Sequence, residues 1–244
     1  MKIKILVTVF ALGSCFAGCS RHQKTAARPS LIDTVYTYGN ASSDGIGKFY
    51  KGREISFVMG AGASDWLERD ERNLEENTQL AISNIPLQPN SVVADIGAGT
   101  GYFSFKIATR VPSGKVFAID IQEEMLLLMA AKKAQLKDTV VQIIKGSLQL
   151  PNLPDNSTDI ALMVDVYHEL EYPREMLQAL RKALKPSGKI LLIEYRGEDP
   201  SVPIKPLHKT TVTQLNKEME ANGFRLSYKG DFLPIQHFLI YEKL

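Results

Sequence analysis

Apolar and polar positions alternate along the chain in blocks of two kinds. Short apolar runs, Val92–Ile96, Lys115–Asp120, Val140–Lys145, Asp159–Val164 and Lys189–Glu194, have the length of buried strands. Between them lie the amphipathic Phe103–Val111, a segment opening near Gln122, and Arg174–Leu184, each with helical spacing. Lys185-Pro186-Ser187-Gly188 reads as a turn, and a strand-like run carries His237 near the carboxyl end. Strand and helix signals in alternation imply an α/β fold, with a parallel sheet covered by helices on both faces. Ile46–Ala81 is expected as a largely helical preface.

The first apolar run, Val92-Val93-Ala94-Asp95-Ile96, ends beside an acid and leads into Gly97-Ala98-Gly99-Thr100-Gly101-Tyr102. A strand that turns sharply into a helix has this form. Glycines let the backbone approach a ligand, and the helix start presents free N–H groups. Spacing separates the ligand classes. A dinucleotide fingerprint needs a small residue where Tyr102 stands, which counts against a pyrophosphate site and a nicotinamide-dependent oxidoreductase. An acid two residues before G-x-G-x-G resembles motif I of the class I S-adenosyl-L-methionine (SAM)-dependent methyltransferases. The segments Asp159–Asp165 and Leu184–Glu194 resemble the fourth- and fifth-strand motifs of that family, and the resemblance covers about residues 85–244.

That resemblance implies a Rossmann-like, doubly wound, mostly parallel seven-stranded sheet with helices on both faces and an N-terminal helical extension. It implies SAM as cofactor, with Asp95, Gly97, Gly99, Gly101 and Tyr102 around its amino-acid end. Asp120, about 20 residues past the loop, stands where a ribose-binding carboxylate belongs, with Ile121 beside it. Asp120 also suits the cap of the following helix, and the two roles are compatible. Many relatives place an acid for the adenine amino group after the third strand; here Ser147 offers a hydroxyl. In many related enzymes an N-terminal segment closes over the cofactor. Arg53, with Tyr50, is the candidate for its carboxylate, because a guanidinium offers a planar fork. Trp66–Arg72 reads instead as a solvated, ion-paired helix.

Methyl transfer is an in-line displacement, so the protein mainly positions the nucleophile and excludes water. Candidates lie beyond the fourth strand, where open α/β sheets bind ligands. His168 is the best-placed base by residue class, with a locally bonded helix-start histidine as the competing reading. Asp165 and Tyr167 could bound the methyl pocket, Glu194 is a further candidate, and His208, in a Pro-rich connection, is expected as a plain surface histidine, with entry from a substrate-covering loop as the alternative. Histidines at positions 22, 168, 208 and 237 show no metal-ligand spacing, so no metal is expected.

Composition narrows the acceptor. The 244 residues, 44% hydrophobic with a net charge of +2, carry no long basic run, which argues against a nucleic-acid substrate. A small-molecule or lipid-like acceptor is expected; a lipid-anchored, catalytically inactive ligand-binding module is the alternative. At the amino terminus Met1–Lys4 is basic, Ile5–Leu12 is apolar and too short to span a bilayer, and Phe16-Ala17-Gly18-Cys19-Ser20 follows. This resembles a bacterial lipoprotein signal, with Cys15 as a second possible site. The expected organisation is a signal peptide over 1–18, a tether over 19–40 beginning at a lipidated Cys19, a helical cap over 41–84 and a methyltransferase domain over 85–244. The implied location is the bacterial cell envelope, facing the periplasm. SAM is made in the cytosol, so action there before export stays open.

Overall fold

The computed structural model describes residues 35–244. The signal-peptide and lipidated-cysteine expectations lie outside the described residues. Among the described residues no helix is long and apolar enough to cross a membrane.

Seven strands form the main sheet: β4 (Val92–Ile96), β5 (Lys115–Asp120), β6 (Val141–Lys145), β7 (Thr158–Val164), β8 (Leu184–Tyr195), β9 (Phe224–Gly230) and β10 (Gln236–Lys243). Their order is β6-β5-β4-β7-β8-β10-β9, with β10 antiparallel to both its neighbours and the other pairs parallel. The expected mostly parallel, seven-stranded sheet is thus observed. The expected Lys185–Gly188 turn is a bulge within β8: Leu184 faces Thr158, yet Lys189 already faces Ile160.

Alternate residues of the strands feed two cores. Val93, Val116, Ala118, Leu162 and Ile193 pack against α3 (Thr78–Asn84), α4 (Tyr102–Ala108) and α5 (Glu123–Leu136). Ala94, Ile96, Ile119, Met163 and Leu192 pack against α6 (Pro173–Ala183) and α7 (Val212–Glu220). Helix α6 shows how the sequence does this. Pro173 opens it, where a missing N–H costs nothing, and Met176, Leu177, Leu180 and Ala183 form its buried stripe. Each fully buried aliphatic side chain contributes about 1.5–3 kcal/mol.

The preface departs from expectation. A separate antiparallel sheet, β1 (Tyr36–Tyr38), β2 (Gly45–Tyr50) and β3 (Arg53–Ser56), occupies what was read as the end of the tether and the start of the helical cap. Helices follow only as short pieces, α1 (Ser64–Leu67), α2 (Arg72–Glu76) and α3. Gly-Ile-Gly-Lys-Phe-Tyr is buried at Gly45, Gly47, Lys48 and Tyr50 and half-buried at Ile46 and Phe49, a two-residue period interrupted where the pairing with β3 shifts register between Gly45 and Phe49. Tyr36, Tyr50 and Ile55 give this sheet its own small core.

Sheet order fixes the site. From β4 the chain goes to β5 and β6 on one side, then returns to β7 on the other. Loops leaving β4 and β7 therefore diverge, opening a crevice at the carboxyl ends of the strands.

Candidate active site

A cleft of about 390 Å³ occupies that crevice. Its walls come from the ends of β4 (Asp95–Thr100), β5 (Asp120–Gln122) and β7 (Val164–Val166 and His168–Leu170), together with Ser147, Tyr195 and Pro203–Lys205.

The glycine loop is held in a shape that other residues resist. Gly97 has φ +67°, and a Cβ there would lie 2.7 Å from the Val166 side chain across the switch point. Gly101 has φ +78°, caps α4, and would collide with Phe105 at 2.6 Å. The Gly99 amide donates to Asp120 Oδ2 at 2.9 Å, and the Gln122 amide donates to Asp120 Oδ1 at 2.9 Å. Asp120 therefore both closes the loop and stabilises the turn into α5, and each oxygen keeps capacity for a further donor. Asp95 accepts from Ser104 at 2.6 Å and is buried; burial, opposed by that hydrogen bond, lifts its carboxyl to about 7. Burial likewise raises Asp120 above the usual carboxylate range.

Asp95, Gly97, Gly99, Tyr102, Asp120, Ile121, Ser147, Asp165 and His168 all line the cleft. Gly101 stands just behind, shaping the turn. Ser147 Oγ donates to the Leu150 carbonyl and accepts from the Leu150 amide, so its local loop also uses it. Asp165 adopts φ +53°, the left-handed region that aspartate and asparagine tolerate better than other side chains, and Gln236 donates to both its oxygens at 3.0 and 2.7 Å. Burial, with Glu76 and Glu194 nearby, holds its carboxyl well above the ordinary range.

Two expectations are corrected. Arg53 does not reach the cleft: its guanidinium donates to Glu218 at 2.8 and 2.9 Å and to the His168 carbonyl at 3.0 Å. Tyr50 is likewise turned away, accepting from Asn222. Tyr167 is fully buried and donates to Glu218 at 2.9 Å, so it lies beneath the pocket wall and not in it. The buried Glu218 draws both groups inward, because an acid there needs partners.

Sequence reading missed other residues. Arg72, read as solvated, is 3% exposed and lines the cleft. It donates to Glu76 at 2.8 Å and to the Leu67 carbonyl at 3.0 Å, while Arg69 and Tyr195 bind the other Glu76 oxygen at 2.7 and 2.9 Å. Met59, Trp66 and Leu67 add apolar wall. Charged residues in short helices carry no signal that separates a solvated face from a cleft floor.

The polar end of the cleft joins β7 to the distant Pro-rich connection. His168 Nδ1 lies 2.6 Å from Glu194 Oε2, and Glu194 Oε1 accepts from the amides of Val166 and Tyr167 at 3.1 and 2.7 Å. His168 Nε2 faces His208 Nδ1 at 3.1 Å, and Glu169 Oε1 lies 3.8 and 3.5 Å from those two nitrogens. His208, 40 residues from His168, thus lines the cleft after all. The Glu169 hydrogen bond raises its basicity. His237 sits elsewhere, 2.8 Å from Glu198.

Comparison with known proteins agrees with this geometry. A family model described as "Methyltransferase domain" matches residues 94–192. A ubiquinone/menaquinone biosynthesis C-methyltransferase of Ectopseudomonas mendocina is 28% identical over 113 residues, 45% of this chain and 43% of that protein. A 2-phytyl-1,4-naphtoquinone methyltransferase of Trichormus variabilis is 29% identical over 136 residues, 54% of this chain and 58% of that one. The chain spans about half the length of these curated relatives. In fold, a SAM-dependent methyltransferase from Aquifex aeolicus superposes with a TM-score of 0.72 at 23% identity, covering 77% of this chain and all of that one. Residues 94–192 thus match a methyltransferase domain, and the chain has the fold seen in SAM-dependent methyltransferases.

Proposed function

We propose that the protein transfers a methyl group from SAM to a small, largely apolar acceptor of quinone or lipid-like character. The observation that carries this is the cleft itself, which one glycine cradle, two buried acids, apolar side chains and a histidine pair line together. When bound, SAM supplies an electrophilic methyl on a sulfonium. Asp120 accepts from the ribose hydroxyls with the lone pairs its backbone partners leave. Backbone amides of the glycine loop and the Arg72 guanidinium hold the amino-acid end, Arg72 taking the role expected of Arg53. Met59, Trp66, Leu67 and Ile204 shut water away from the displacement. His168, oriented by Glu194, receives the acceptor's proton where one must leave. The names of the quinone-directed relatives support this acceptor class, as does the near-neutral surface.

Lipidation at Cys19 belongs to the same reading, since an anchored enzyme would meet apolar acceptors at the bilayer surface. Replacing Cys19 with Ala should release the protein from the membrane fraction. Calorimetry of the full chain with SAM and with NAD, followed by radiolabelled transfer into a cell lipid extract, tests the activity. SAM binding with label in the extract is expected. NAD binding, or SAM binding without transfer to any acceptor, would refute it, the latter leaving a ligand-binding module.

A further inference from the structure

We propose that His168, Glu169 and His208 form a binding site for a divalent transition-metal ion at the acceptor end of the cleft. This deepens the reading above, since the same site receives the acceptor and a metal-bound acceptor oxygen would take the place of proton transfer to His168, but its evidence is independent of methyl transfer.

The three ligand atoms, His168 Nε2, His208 Nδ1 and Glu169 Oε1, are separated by 3.1, 3.5 and 3.8 Å. Ligands about 2.0–2.2 Å from a tetrahedral zinc ion stand roughly 3.3–3.6 Å from one another. The triangle is therefore already near the size that one ion spans. Two histidines and one carboxylate are a common donor set for zinc and for non-haem iron, and leave at least one position open.

Hydrogen-bonding logic points the same way. Glu194, fully buried and fixed by two backbone amides, stands against His168 Nδ1 at 2.6 Å. A carboxylate there places the ring proton on Nδ1 and turns the Nε2 lone pair outward. Asp44 Oδ2 lies 2.9 Å from His208 Nε2, on the side of the ring away from His168. His168 Nε2, His208 Nδ1 and Glu169 Oε1 thus stand together on the cleft wall, close enough for a single cation to meet all three. A carboxylate behind each metal-binding histidine is the usual outer support of such sites. Glu169 is held too, its Oε1 accepting from the Met59 amide at 3.1 Å with a second lone pair to spare. The charges agree: Asp44, Glu169 and Glu194 surround the site, while the nearby cations Lys205 and Arg53 are paired, with Asp44 at 2.7 Å and with Glu218 at 2.8 Å. His168, Glu169 and His208 all line the cleft, so the open position is available to water or to an anionic oxygen of the acceptor. Forty residues of chain between the histidines hid the set from any spacing rule.

The test is Co(II) and Zn(II) binding to the untagged full chain after chelator treatment. Co(II) should give a visible ligand-field band at a single ion per chain, abolished by Zn(II). His208→Ala and Glu169→Gln should each weaken binding about tenfold or more. Glu194→Gln should weaken it about 10–100-fold through His168 alone. His237→Ala, away from the cluster, should change nothing, and circular dichroism checks that each variant is folded. A chain that takes up no Co(II), or whose band is indifferent to His208→Ala and Glu169→Gln, would overturn the site. Calorimetry with SAM on the same samples separates the two readings. SAM binding without metal sinks only the metal site; metal binding without SAM sinks only the methyltransferase reading.

Discussion

Two buried arginines, in two parts of the N-terminal preface, make nearly the same interaction to different ends. Arg53, on β3, grips Glu218 with its whole fork and sits behind the cleft wall. Arg72, on α2, holds Glu76 with one edge and lines the cleft beside Asp95 and Thr100. Charge, residue type and burial are alike. What differs is which side of the sheet's open end each faces. A buried ion pair is thus no sign of a ligand site; its access to the crevice decides.

The largest test removes a partner behind the wall. Glu218→Ala leaves Arg53 buried without its acid and Tyr167 without its acceptor, and should cost about 3–5 kcal/mol of stability in urea unfolding. SAM affinity of the folded fraction should stay within about twofold, because no cleft group is touched; a large affinity loss would erase the distinction between the two arginines.

Next comes Asp95, an acid that faces Arg72 without sharing its ion pair. Its carboxyl stands near 7 in the fold against 3.8 for an ordinary aspartate. The folded state therefore binds the proton more tightly than the unfolded chain does. Its contribution to stability is full below about pH 4 and is lost as the pH rises through 7, by up to about 4 kcal/mol. Asp95→Asn should flatten that fall in the ligand-free protein. Parallel stability–pH curves for the two would contradict the burial argument.

Arg72→Lys sharpens the comparison from the other side. A lysine keeps the charge and loses the fork, and should weaken SAM binding by about 1.5–3 kcal/mol, while Arg53→Lys leaves it unchanged. Calorimetry on the pair of variants reads this directly. The smallest effect is Gly101→Ala, which forces a Cβ to φ +78° and 2.6 Å from Phe105. A loss of about 1–2 kcal/mol in thermal or urea unfolding is expected.

Legibility in the sequence followed the same division. The glycine loop, Asp95 and Asp120 were readable because each lies within a few residues of a strand end, where local geometry decides its position. Five strands of the sheet were readable as short apolar runs between helical periods and a sixth as the run carrying His237; the number seven came from the family resemblance, and the largely exposed β9 carries no apolar run. The polar end was not. His208 reaches His168 only after β8 and a Pro-rich connection have folded back, and Arg72 enters the cleft only because α1 and α2 pack over the switch point. Arg53 misled because its partner, Glu218, is 165 residues away. β1–β3 were mistaken for tether and helix because Gly45, Gly47 and Gly52 break the apolar rhythm of a two-residue period.

The most direct measurement is a crystal structure of the full chain with S-adenosyl-L-homocysteine. The account predicts the ribose on Asp120, the amino-acid end against the glycine loop and Arg72, and the sulfur facing His168. A cleft left empty at saturating ligand, or the nucleoside lodged away from Asp95 and Asp120, would contradict it.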